Sequence, residues 1–192
     1  MKKESQTIFD KNVIEFVTVA AETCAFLERA SELSRADFVD KSLKLLPLLY
    51  LKASLLPECS SINDDVQETY VTEEAYEALR RSVEQVMGSK DDYLEVFVPD
   101  MVYSDQPIRK TISEDLADIY QDLRDFIFVF QLGLNETMND ALATCQENFK
   151  AFWGQTLVNT LRALHDVKYN NDEDDSEQEE ESYNEEDSTT QW

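Results

Sequence analysis

The stretch "TISEDLADIYQDLRDFIFVFQLG", residues 111–133, decides the fold. Thr111 and Glu114 have the T-x-x-E spacing of a helix-capping box, and Gly133 supplies a C-terminal stop. The stretch therefore predicts a helix that runs to about Leu132. Its apolar side chains recur at the three- and four-residue steps of one helix face. They are Leu116, Ile119, Leu123, Phe126, Ile127 and Phe130.

The segment "FIFVF", residues 126–130, is apolar on every side of the predicted helix. The segment is either buried in the core or in contact with another copy of the chain, and burial in the core is the commoner arrangement.

The same periodicity predicts helices on both sides of this stretch. Ser34, Thr72 and Asn135 are of residue types that cap helix starts, and Gly88 is placed to end a helix. Pro47 falls inside the second helix and is expected to kink it. With the stretch above, the predicted helices cover about 7–33, 35–56, 73–87, 111–132 and 135–165.

Residues 91–110, "DDYLEVFVPDMVYSDQPIRK", are irregular, and "YLEVFV" favours a short extended segment. Because no second strand is obvious, no sheet is expected. The sequence predicts an all-α protein, with a bundle of about five helices over residues 1–168. Residues 169–192 hold 11 acids and no lysine or arginine, and this composition predicts a disordered acidic tail. Such a tail can raise solubility, compete for the body's own basic patches or bind a basic partner.

The formal net charge is −24, and the residues before the tail still carry about −13 of it. A field of this sign repels phosphate backbones and anionic lipids, so nucleic-acid and membrane binding are not expected. Basic partners and cations are attracted instead.

Three cysteines, Cys24, Cys59 and Cys145, lie far apart and outside any CxxC motif. Their number and spacing indicate free thiols in a reducing compartment, not disulfides or a zinc site. No signal peptide is recognised, and the most apolar segment is too short and too charged to span a bilayer. The sequence therefore predicts a cytoplasmic protein.

Asp118, Asp122 and Asp125 lie on one face of the predicted fourth helix, with Glu114 nearby. Such a row of carboxylates can hold Mg²⁺ in an all-helical enzyme, where a phosphate completes the metal's oxygen ligands. Asp118, Asp122 and Asp125 are then the metal ligands, and Glu114 is the catalytic candidate. The alternative is a solvated acidic face of an amphipathic helix, the commoner origin of a charge run.

Other chemistries lack their residues. His165 is the sole histidine, so a ferritin-like di-iron site, which needs two histidines, cannot form. Every serine or cysteine nucleophile that needs a histidine base would have to use His165. No glycine-rich phosphate loop is present.

An aromatic groove for a ligand or partner is a further candidate, because Gly154 interrupts the last helix and permits close approach. A neighbouring helix that crosses at Gly154 is the ordinary alternative. The groove would be lined by Phe149, Phe152, Trp153 and Tyr103.

Three segments, "LLPLLYLKASLLP", "TISEDLADIYQDLRDF" and "FKAFWGQTLVNTLRALHD", together resemble an uncharacterised bacterial family of small all-helical proteins, a domain of unknown function. The resemblance covers about residues 8–168. It implies a helical fold and a bacterial cytoplasmic origin, and it brings no activity, cofactor or catalytic residue.

These observations favour a non-enzymatic protein-interaction module with an acidic surface. Such a module needs no cofactor and binds a protein partner, and its negative charge suits a basic partner. The alternative is a magnesium-dependent hydrolase of a phosphorylated small molecule.

Overall fold

The computed structural model describes residues 7–63, 69–95 and 108–170. Within these ranges the long helices are α1 (Lys11–Glu28), α2 (Arg35–Ser54), α3 (Glu73–Met87), α4 (Ile112–Gln131), α5 (Asn135–Asn148) and α6 (Gly154–Tyr169). A π-helical turn, Phe149–Trp153, joins α5 to α6 without a break, so these two helices form one continuous rod. Counted in this way, the described ranges contain a bundle of five helical rods. The predicted all-α bundle of five helices is confirmed.

Most helices begin and end where local chemistry predicts. The Ser34 hydroxyl accepts a hydrogen bond from the backbone N–H of Asp37, 3.2 Å away, at the start of α2. Thr72 and Thr111 cap α3 and α4 in the same way, each at 3.2 Å. Gly88 and Gly133, at φ values of 55° and 75°, follow the ends of α3 and α4.

The predicted start of the first helix and the predicted cap of the last are wrong, and α1 ends at Glu28, before a 3₁₀ turn at Ala30–Glu32. Helix α1 begins at Lys11, because Asp10 accepts from the Asn12 N–H at 2.8 Å and caps it there. Asn135 is the first residue of α5 and not its cap, since the chain turns into the helix at Leu134. Helix α2 continues unbroken through Pro47 to Ser54, and the kink stays a prediction.

Helix α4 is the centre of the bundle and packs against α1, α3, α5 and α6. Its apolar stripe is buried as predicted, except that Phe130 is only half-buried, and each fully buried side chain contributes about 1.5–3 kcal/mol to folding. In "FIFVF", Phe126, Ile127 and Val129 lie in the core, whereas Phe128 is partly exposed and stacks on Tyr70 with ring centroids 4.1 Å apart. The core interpretation of this segment is therefore right for most of its residues.

The expectation that no sheet forms is wrong. Strand β1 (Asp92–Leu94) pairs antiparallel with β2 (Arg109–Thr111). The partner strand was not recognised because "RKT" is only three residues long and Thr111 is its one β-favouring residue. The buried Asp91 ties the sheet to α4, as its carboxylate accepts from the backbone N–H and the hydroxyl of Ser113 at 2.8 and 2.6 Å.

The three cysteines, which all lie in the described ranges, are free thiols as predicted. Burial raises the pKa of Cys24 to about 12, so this thiol stays protonated. No helix in the described part of the chain is long and apolar enough to cross a membrane. The predicted tail, from residue 171 onward, lies outside the described residues.

Candidate functional site

A cleft of about 640 Å³ lies between α4, the π turn with the start of α6, and the end of the small sheet at Glu95 and Lys110. We call it the aspartate cleft, because Asp118, Asp122 and Asp125 of α4 line it together. Lys110 of β2 and Phe152 of the π turn also line it. The structure thus brings the predicted carboxylate row and two of the predicted groove aromatics, Phe152 and Trp153, into a single site.

Each of the first two aspartates is held by a neutral donor. The Tyr76 hydroxyl of α3 donates to Asp118 Oδ1 at 2.6 Å, and the Asn148 side-chain amide donates to Asp122 Oδ1 at 2.5 Å. A neutral donor brings no positive charge to a carboxylate, so neither bond takes the place of a cation.

Asp125 holds a loop and lines the cleft as well. Its Oδ1 accepts from the backbone N–H groups of Tyr70 and Val71 at 2.7 and 2.8 Å. These bonds fix the segment before α3 against α4, where Arg124 lies 5.4 Å from the centre of the Tyr70 ring. The third carboxylate is therefore fixed by backbone donors.

Like charges meet in the cleft. Burial raises the pKa of Asp122, and the negative charges of Asp125 and Asp118 raise it further, while the bond from Asn148 opposes the shift. Among the described lysines and arginines, none forms an ion pair with Asp118, Asp122 or Asp125. A cation bound in the cleft would relieve this repulsion.

No group of three or more His, Cys, Asp or Glu side chains in the described ranges is placed to hold a metal ion. The three aspartates are spread along α4, because four and seven residues of helix rise about 6 and 10 Å. Glu114 is exposed in the first turn of α4, outside the cleft. The arrangement is an open row of carboxylates, and the magnesium role stays a prediction.

The groove aromatics are placed in different environments. Phe152 is 67% exposed, whereas Trp153 is 1% exposed and its indole N–H donates to the Cys145 carbonyl at 3.3 Å. Phe149 packs between Trp153 and Tyr50, with ring centroids 4.6 and 5.2 Å away. Of these three rings only Phe152 is well exposed to solvent. The fourth predicted groove residue, Tyr103, lies outside the described residues.

Gly154 is required by the π turn itself. A Cβ at this position would lie 2.5 Å from the Phe149 carbonyl oxygen and 2.9 Å from the Phe149 ring. The Gly154 N–H donates to that same oxygen, five residues back, in the π-helical pattern. The close approach predicted at Gly154 is thus made by the preceding turn of its own helix, and the idea that a crossing helix explains this glycine is corrected.

Sequence reasoning missed Asp115, which is 1% exposed. Its Oδ2 accepts from the Tyr93 hydroxyl and from Thr160 Oγ1, the latter at 2.9 Å. Burial raises the pKa of Asp115 to about 6, against the effect of these two bonds. Its position in the sequence could have indicated that Asp115 is buried, since it falls on the same helix face as Ile112 and Ile119.

Comparisons with known proteins agree with the helical fold. A family model described as "Domain of unknown function (DUF5063)" matches residues 7–170. The crystal structure of protein BF1032 from Bacteroides fragilis is 67% identical in sequence and superposes with a TM-score of 0.76. That match covers 85% of this chain and 96% of the other. A search of curated proteins found no match.

Proposed function

We infer that this chain, which belongs to the family of domains of unknown function DUF5063, is a non-enzymatic interaction module whose aspartate cleft takes up a positively charged segment of a partner protein. One observation carries the proposal. Three carboxylates without a described lysine or arginine partner line one cleft together with an exposed aromatic ring.

A lysine or arginine side chain suits this site chemically. Its N–H groups can donate to Asp118 and Asp122, whose own donors are neutral. The exposed Phe152 ring offers a cation–π contact of about 0.5–1 kcal/mol at the mouth of the cleft. A bound cation also offsets the repulsion from Asp125 and Asp118, which adds to the effect of burial in raising the pKa of Asp122.

The charge of the whole chain supports the same proposal. A net charge of −24 speeds the encounter with a basic partner over a range of about 8–10 Å at physiological salt. Long-range attraction of this kind is not specific, so the fixed carboxylates of the cleft are needed to select the segment that binds.

The test is binding of an arginine-rich synthetic peptide, measured by calorimetry at about 0.15 M salt. We expect the isosteric triple variant Asp118→Asn, Asp122→Asn, Asp125→Asn to weaken binding about tenfold or more, because it removes the charges that face the peptide. Asparagine keeps an acceptor oxygen for each existing donor, so the fold is retained.

The matched control is Glu22→Gln, Glu32→Gln, Glu58→Gln, which changes the net charge by the same amount at exposed sites. It should leave affinity within about twofold, as expected for screened charges away from the contact. Equal weakening by both triples would mean that only the overall charge attracts the peptide, and the proposal would be wrong.

A second candidate is the magnesium-dependent hydrolase of a phosphorylated small molecule, with Asp118, Asp122 and Asp125 as ligands, although its predicted catalytic group, Glu114, lies outside the cleft. Lys110 favours it, because this lysine lies in the same cleft and could contact a phosphate.

Thermal unfolding in millimolar Mg²⁺ separates the two candidates. The interaction module predicts a nearly unchanged melting temperature, since a ligand stabilises only a protein that binds it. A rise of several degrees that disappears in the Asp118→Ala, Asp122→Ala variant would favour the hydrolase.

A further inference from the structure

We propose that Asp115 is a proton-operated latch that holds the β1–β2 sheet against helices α4 and α6. The sheet end forms one wall of the aspartate cleft, since Glu95 and Lys110 line it. The latch does not depend on what the cleft binds, so it can be tested without a ligand.

Three elements converge on one oxygen atom. Asp115 belongs to α4, and its Oδ2 accepts from Tyr93 of β1 and from Thr160 of α6. Asp115 is 1% exposed and Thr160 is fully buried, so water does not replace these bonds while the sheet is in place. Lifting β1 would break the bond from Tyr93 and open Asp115 to water.

The charged and titratable groups around Asp115 shift its pKa in opposite directions. Lys110 of β2 attracts the ionised carboxylate, and Asp118 of α4 repels it. Tyr93 of β1 donates to it, and α6 contributes the uncharged Thr160 hydroxyl. Arg162, His165 and Asp166 of α6 face the other side of Tyr93, where they line a second cleft with it. Burial outweighs the attractive contacts, and the pKa of Asp115 is about 6 with the sheet in place.

The direction of the effect follows from linkage. When the sheet lifts and Asp115 reaches water, its pKa returns to about 3.9, the ordinary value of an aspartate. The closed form therefore binds the proton more tightly than the open form. Protonation holds the sheet closed, and this contribution is lost as the pH rises through about 6.

Amide hydrogen exchange in the full chain measures the latch. The Glu95 N–H donates to the Ile108 carbonyl at 2.9 Å and reports on the sheet, whereas the Met138 N–H, bonded to Leu134 at 2.8 Å, reports on α5. Expressed as a protection factor, which removes the intrinsic pH dependence, Glu95 protection should fall about tenfold between about pH 5 and pH 7.5. Met138 protection should not change, and a parallel change at both amides, or none at Glu95, would overturn the latch.

Variants separate a latch from a structural contact. Asp115→Asn cannot ionise and should remove the pH dependence while Glu95 stays protected at neutral pH. Tyr93→Phe and Thr160→Val each remove a bond that favours the ionised carboxylate, so the Asp115 titration midpoint should move upward. A carboxyl carbon NMR titration measures that midpoint directly.

An exposed acid of α5 provides the control, since Glu136→Gln removes one negative charge away from Asp115 and Tyr93 and should leave the Glu95 profile as it is. If Asp115→Asn does not fold, Tyr93→Phe still decides. A Glu95 pH profile or an Asp115 midpoint that Tyr93→Phe leaves unchanged would contradict the proposal.

Discussion

Asp115 shows what a single position can and cannot reveal. An acid on the apolar face of a predicted helix, one turn from Ile112 and one turn from Ile119, signals a buried and partnered carboxyl group. Its partners could not be predicted, because Tyr93 and Thr160 are 22 and 45 residues away along the chain. Only tertiary packing places them on the same oxygen.

At the residue scale we also predict that Gly154→Ala destabilises the protein, although alanine is the better helix former by about 1 kcal/mol. The added Cβ would collide with the Phe149 carbonyl oxygen, 2.5 Å away, and the π turn would have to shift. Overpacking of this kind costs about 1–3 kcal/mol, and after the gain in helix propensity the net loss in the free energy of unfolding should reach up to about 2 kcal/mol. Urea unfolding followed by Trp153 fluorescence and circular dichroism measures it.

Lys150→Ala is the control for that variant, since Lys150 is exposed in the same turn and its replacement should change stability by less than about 0.5 kcal/mol. A Gly154→Ala protein more stable than the wild type would mean that helix propensity outweighs the contact with Phe149.

At the scale of the elements, prediction succeeds where the signal is local. Thr72 and Gly88 fix both ends of α3, because a hydroxyl cap and a positive-φ glycine act on their own neighbours. The sheet escaped prediction because residues 92–94 pair with residues 109–111, and "RKT" carries no strand pattern of its own. For the π turn, the one local indication in the sequence is the glycine at position 154.

In the candidate site, too, local patterns could be predicted from the sequence and tertiary contacts could not. Helical spacing placed Asp118, Asp122 and Asp125 on one face, and Gly154 within the last helix drew attention to the aromatic residues before it, which include Phe152. That these two sets line one cleft depends on how α4 packs against the rod formed by α5 and α6, which no spacing within either helix encodes.

At the scale of the whole molecule, the chain is a helical member of the DUF5063 family, and the predicted resemblance to an uncharacterised bacterial family is confirmed. Its strong acidity is a property of the sequence as a whole, since a net charge of about −13 remains without the last 24 residues. Self-repulsion of this size opposes compaction, so part of the burial gained around α4 is offset by charge.

Salt should therefore stabilise the protein. Raising the ionic strength from about 0.01 to 1 M shortens the Debye length from about 30 to 3 Å and screens the repulsion between exposed acids. We expect the melting temperature to rise with sodium chloride, because the surface ion pairs that the same salt weakens, such as that between Lys44 and Asp40, contribute little individually. The Glu22→Gln, Glu32→Gln, Glu58→Gln variant should melt higher than the wild type at low salt and respond less to added salt. A melting temperature that falls with salt in the wild type would mean that the surface ion pairs outweigh the net negative charge.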